Sequence, residues 1–232
     1  MANYRVQWPP FTANIKGLAI VLFTLWFASV MVDPLGDFVG QYMLVSQRAV
    51  IQDFQVWTLL TYSLWHADFM HLLFNVLVLW LFGGEIDRRW DTVRWWRFNA
   101  LCALGGGVAV VLSQLIFQTF HPTLGYSGAV MGVVAAFAWQ NWDRTIHLFF
   151  FPMKGKTLLL VFIALDVFIV VVGREPISVA AHLGGMATGL LIVSDWWRPR
   201  RWKLAHKRYK HKKRRKKFQL LQKDPESDRY LN

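Results

Sequence analysis

Six stretches of this chain are apolar over lengths that suit a lipid bilayer, covering about 17–32, 69–84, 98–117, 127–142, 157–172 and 178–194. A bilayer core is about 30 Å thick, so roughly 20 mostly apolar residues span it as a helix once flanking residues are included. With no water to satisfy the backbone there, such runs must be helical. The pattern predicts an all-α polytopic membrane protein built as a bundle of six transmembrane helices. Composition agrees: 55% of residues are hydrophobic and the mean hydropathy is +0.30, values that exclude an ordinary soluble domain. The first run is long, rich in Phe, Leu and Val, and holds Trp26, so it reads as a retained span and not a cleaved signal.

The remaining segments divide the chain. Residues 1–16 form a short polar lead. Residues 17–197 form the membrane domain. Within it, 33–64 is too polar to span and too apolar for a plain solvated loop, which predicts a loop sunk in the interface with short helices. From 198 to 232 the chain is basic, then polar, which predicts a disordered tail. The formal charge is +12, and half of the Lys and Arg residues fall between Arg198 and Lys217. That charge follows a span directly and begins beside Trp196-Trp197, so anionic lipid is its expected partner and nucleic acid is not. The single cysteine, Cys102, cannot form an intrachain disulfide.

Linker charges give an orientation. The linkers after the second and fourth runs, and the tail, are rich in Arg and Lys, whereas the linkers after the third and fifth hold only Arg174 and the first long loop only Arg48. By the positive-inside rule both termini face the cytoplasm. The second, fourth and sixth runs then descend from the outer face, and Ser127, His182, His71 and Asn75 all lie near their outer ends.

Those four residues carry chemistry. Ser127 opens the fourth run within Gly125-Tyr126-Ser127-Gly128, and His182 lies in the sixth within Ala181-His182-Leu183-Gly184-Gly185. A serine at a helix start is most simply an N-cap. An ionisable residue inside a span, however, points to function. Each run also carries a Gly-x-x-x-Gly pair, Gly128 with Gly132 and Gly185 with Gly189, of the kind that lets helix backbones approach closely. A serine needs an adjacent base to become a nucleophile, and His182 can serve. Backbone N–H groups at the start of the fourth helix, with His71 and Asn75 from the second, could receive an oxyanion. Such a set hydrolyses an acyl bond, and inside a membrane the expected one is a peptide bond of another membrane segment.

These residues make the chain resemble the rhomboid intramembrane serine proteases. The motifs are Gly125-x-Ser127-Gly128, His182-x-x-Gly185-x-x-x-Gly189 and His66-x-x-x-x-His71-x-x-x-Asn75, with Gly83-Gly84-Glu85-Ile86-Asp87-Arg88-Arg89 closing the second helix. The resemblance implies a Ser127–His182 dyad, an oxyanion hole of the Ser127 N–H with His71 and Asn75, and a supporting role for His66. Met131 stands where the family often has an aromatic residue against the catalytic histidine, and Thr58 follows Trp57 where Trp-Arg is common. The implied activity is an intramembrane endopeptidase that cuts single-span proteins near their outer end. The expected location is a multi-pass protein of the bacterial inner membrane, with the site opening outward. The alternative is a rhomboid-like protein that binds membrane helices without cutting. A transporter fits poorly, because no internal repeat is visible. No cofactor is expected, and a metal on His66, His71 and His182 lacks an acid or cysteine cluster with ligand spacing. Asp166, the acid inside the fifth run, is expected to pair with a polar group of the bundle or face an aqueous cavity, in preference to completing a catalytic triad.

Overall fold

The computed structural model describes residues 8–148, 151–172, 176–195 and 210. The basic tail, its expected disorder and its lipid contact therefore lie outside the described residues, Lys210 apart. The chain divides into two compact units, 1–193 and 194–232, and the first holds the helical bundle.

Helix α1 covers Ala13–Met31 and starts at Thr12, whose hydroxyl accepts from the Ile15 N–H. Helix α2, Asp33–Tyr42, follows with Pro34 in its first turn, where a missing N–H costs nothing. The loop to the next long helix holds a π-helical turn at Arg48–Gln52, a short α3 at Thr58–Thr61 and a 3-10 turn at Tyr62–Leu64. These are the short helices expected of this segment. Helices α4 (Phe69–Arg89) and α5 (Thr92–Phe117) come next, then α6 (Ser127–Gln140). Strands β1 (Thr145–Leu148) and β2 (Phe151–Lys154) pair antiparallel, with Thr145 opposite Lys154. Helices α7 (Gly155–Val171) and α8 (Pro176–Ser194) complete the unit.

Several boundaries differ from the apolar pattern. The linker expected over 85–97 shrinks to Trp90 and Asp91, because charged residues at a helix end reach water without breaking the helix. Asp91 caps α5 by accepting from the Arg94 N–H at 2.8 Å. Arg88 and Arg89 fall in the last turn of α4, where the helix dipole favours cations. The stretch after α6, expected as a linker, contains the two paired strands. Among the described residues, α1, α4 and α5 are long and apolar enough to cross a membrane, and Ser127–Gln140 and Val179–Ser194 are shorter apolar helices.

The fold is a helical membrane bundle with α6 at its centre. Helix α6 packs against α4, α5 and α7, and Gly128–Val130 and Gly132–Ala138 are buried. A helix apolar and buried on every side belongs to a core. Helix α1 is equally apolar but leaves Ile20, Val21, Phe23, Phe27 and Val30 exposed, a surface that suits lipid and not water. It is anchored at its start, where Thr12 and the Asn14 amide both donate to the buried Asp87 carboxylate near the end of α4.

Candidate active site

The approach to Ser127 is held by its backbone. Val45 and Thr123 exchange both bridge hydrogen bonds, 3.2 and 2.9 Å. Two residues later, the Gly125 N–H donates to the Tyr62 carbonyl at 3.0 Å. The Tyr126 N–H then donates to Nε2 of His66 at 3.3 Å. The first loop thus grips the connection immediately before the serine at three places. Two buried tyrosines extend the grip: Tyr62 donates to the Ala103 carbonyl at 2.8 Å, and Tyr126 to Asn99 Oδ1 at 3.1 Å. Sequence reasoning gave neither tyrosine a role. The available signal was the position of Tyr126 directly before the serine.

Gly125 makes the turn into α6 with φ +119°, a conformation that side chains other than glycine's rarely adopt. Its missing β-carbon matters as well. That position lies 2.8 Å from His71 Nε2 and 3.7 Å from Ser127 Oγ. The ring and the hydroxyl therefore border one small space that glycine keeps open. The simple N-cap reading of Ser127 fails, because Tyr126 is the N-cap of α6 and no side chain caps the helix. The first N–H groups of α6 are free of side-chain caps at the point where the hydroxyl sits.

The glycine pairs form a seam between α6 and α8. A methyl group on Gly185 would collide with the Gly128 carbonyl, and one on Gly189 would come within 2.5 Å of the Gly132 carbonyl oxygen. From the other side, a β-carbon on Gly128 would lie 3.3 Å from the Ala181 carbonyl oxygen. Ser127 adjoins one side of that contact and His182 the other. No hydrogen bond joins Ser127 Oγ to His182 in this structure. Such contacts are often long before substrate binds.

The remaining predicted residues group around this point. His66 and His71 meet edge to face with centroids 5.1 Å apart. Asp68 caps α4 through the His71 N–H at 2.8 Å. Asn75 is buried, and its amide donates to the His71 carbonyl one turn back at 3.1 Å. An amide nitrogen carries two hydrogens, so a second donor remains. Burial, reinforced by His71 and opposed by Asp68, pushes His66 down to about 3. His66 is thus a neutral ring accepting the Tyr126 N–H. Met131 packs into a cluster with Leu159, Phe162 and Met186 between α7 and α8.

His182 meets Asp166, the contact that the sequence reading ranked below its alternatives. Its Nδ1 lies 2.7 Å from Asp166 Oδ1 of α7. Asp166 was expected to pair elsewhere in the bundle or face an aqueous cavity, and its Oδ1 instead lies against this imidazole.

Comparison with known proteins gives the family. The family model described as the Rhomboid domain matches residues 53–197. The rhomboid protease GlpG of Haemophilus influenzae is 32% identical over 141 residues, covering 60% of this chain and 69% of that protein. The protein of that name in Photorhabdus laumondii is 27% identical over 79% of this chain and 60% of its own length. The mitochondrial Rhomboid protein 1 of Saccharomyces cerevisiae is 26% identical over 76% of this chain and half of its own length. The matched domain takes in α4 through α8 with every one of the motif residues, and the chain belongs to the rhomboid family.

Proposed function

We propose that this protein is an intramembrane serine endopeptidase that cuts transmembrane segments of other proteins with Ser127 as nucleophile and His182 as base. The observation that carries this reading is the glycine seam, which holds the backbones beside Ser127 and His182 in contact. Membership of a family whose relatives are named proteases supports it.

In the proposed reaction, Ser127 Oγ attacks the scissile carbonyl carbon while His182 Nε2 takes the hydroxyl proton. The carbonyl oxygen becomes an oxyanion. The Ser127 N–H at the start of α6, His71 and the free hydrogen of Asn75 donate to it. Collapse of the intermediate breaks the C–N bond, and His182 passes its proton to the departing amine. Water, activated by the same histidine, then releases the acyl group and restores the serine. Gly125 leaves room for the oxyanion between His71 and Ser127. His66 supports the site by holding Tyr126. The substrate must present an extended backbone, so cleavage falls at small residues in a weakly helical stretch. In the proposed topology six helices span the inner membrane with both termini cytoplasmic, the site opens outward, and the basic tail rests on anionic lipid.

A single-span reporter in proteoliposomes tests the proposal. Wild type should cut it near the outer end, and Ser127→Ala should not. Progressive stiffening of the reporter helix with Leu and Ala near the cut should slow cleavage. Equal cleavage by Ser127→Ala would overturn the mechanism. A folded wild type that binds the reporter and leaves it intact would favour the non-proteolytic reading.

A further inference from the structure

Asp166 sits in α7 with 3% of its surface exposed. One carboxylate oxygen, Oδ1, lies 2.7 Å from His182 Nδ1. The other, Oδ2, is buried with no hydrogen-bond partner. A buried carboxylate held by one contact is a poor stabilising element, since desolvation offsets most of what the contact returns. An acid at this depth in a bundle is better explained by what it does to its partner.

We infer that Asp166 is a positioning residue for the proposed hydrolysis, orienting His182 so that the reaction runs on a Ser127–His182–Asp166 triad and not on a dyad. This inference rests on the protease reading above. A carboxylate accepts only, so the imidazole must donate through Nδ1. That assigns the proton to Nδ1 and leaves Nε2 as a free acceptor, the form required to take the Ser127 proton. The contact also fixes the ring's rotation about its χ2 torsion. Met131 and its neighbours pack between α7 and α8 but cannot fix a tautomer. When His182 becomes an imidazolium, the Asp166 carboxylate faces the new charge, while the proton stays on the histidine. No oxidant, metal or further reactant is involved.

Proteoliposome kinetics of wild type, Asp166→Asn, Asp166→Ala and Ser127→Ala, with melting measured in parallel, test this directly. Asp166→Asn should leave KM within about twofold and lower kcat at least tenfold, with about 10⁴-fold as the bound set by a buried orienting aspartate. Labelling of the serine by a fluorophosphonate should slow in step, with little change in melting. Asp166→Ala should be no more active than Asp166→Asn. Full activity in Asp166→Asn beside an inactive Ser127→Ala would overturn the triad and leave the protease reading standing. Cleavage surviving in Ser127→Ala would instead remove the protease reading itself. Should the variants fold poorly, ¹⁵N-histidine spectra of the wild type decide the matter, with His182 assigned from His182→Gln. A proton on Nδ1 with a low-field resonance is expected, and the opposite tautomer would overturn the inference.

Discussion

The segment entering α6 and the ring of His182 are held by different means. Ser127 is positioned by main chain: a β-bridge at Thr123, a carbonyl contact at Gly125 and a histidine acceptor at Tyr126. His182 is positioned by one side chain, Asp166, reaching across from α7. Backbone anchoring tolerates many side-chain changes and fails when a larger residue needs the same space. Side-chain anchoring fails on a single polar substitution that leaves packing untouched. The two halves should therefore break in different ways, and the glycine seam is where they are joined.

The largest effect is expected at that seam. Gly185→Val places a branched side chain against the Gly128 carbonyl, a backbone atom that cannot rotate away. Overpacking typically costs about 1–3 kcal/mol, and a backbone collision lies at the upper end or beyond. Melting should fall, and cleavage should be lost with it. Normal melting and turnover in this variant would show that the helices are not in backbone contact.

Asn75→Ala should have the next largest effect, and it separates chemistry from packing. Loss of one oxyanion donor costs about 2.7–4 kcal/mol of barrier, roughly a hundred- to a thousandfold in rate. The loss here should lie at or below that range, because His71 and the Ser127 N–H remain. Melting should change little, since the Asn75 amide bonds only its own helix in this structure. Unchanged turnover with a clearly lower melting point would make Asn75 a packing residue.

The smallest effect, over the narrow range from pH 7 to 5, concerns the anchor on the serine side. His66 is held near 3 in the folded protein, well below the usual 6.5, by burial first and then by His71. Above about 6.5 the ring is neutral in both folded and unfolded chains. As pH falls below that value the unfolded chain takes up a proton and the folded one does not. Stability should therefore drop by up to about 1.4 kcal/mol per pH unit between about 6.5 and 3. His66→Gln should show a shallower fall in melting temperature between pH 7 and 5. Parallel curves for the two proteins would show that His66 charges freely in the folded state.

Much of this molecule is legible in its sequence, and the exceptions share a cause. The apolar runs locate the long helices because lipid leaves the backbone no alternative. Ser127, Gly125 and His71 could be singled out because their motifs are local. The ends of α4 and α5 were not, because Arg88, Arg89 and Arg94 look like linker in a hydropathy pattern yet extend from helix ends into water. The strands Thr145–Leu148 and Phe151–Lys154 were hidden because polar–apolar alternation lasts only four residues before an unbroken apolar stretch. The Asp166–His182 contact was ranked too low for a deeper reason. Which face of α7 meets α8 depends on helix rotation, and a helix apolar all round carries no stripe to reveal it. The same limit hid Tyr62, which reaches the Ala103 carbonyl far along the chain.

The proposed mechanism requires that Ser127 be a nucleophile activated by His182. A fluorophosphonate probe on the folded protein in bilayers, followed by mapping of the adduct by mass spectrometry, tests it most directly. One adduct is expected on Ser127 in the wild type, none in Ser127→Ala, and labelling in His182→Ala should fall to background while its melting stays close to wild type. An adduct on another residue, or undiminished labelling of Ser127 without His182, would contradict it.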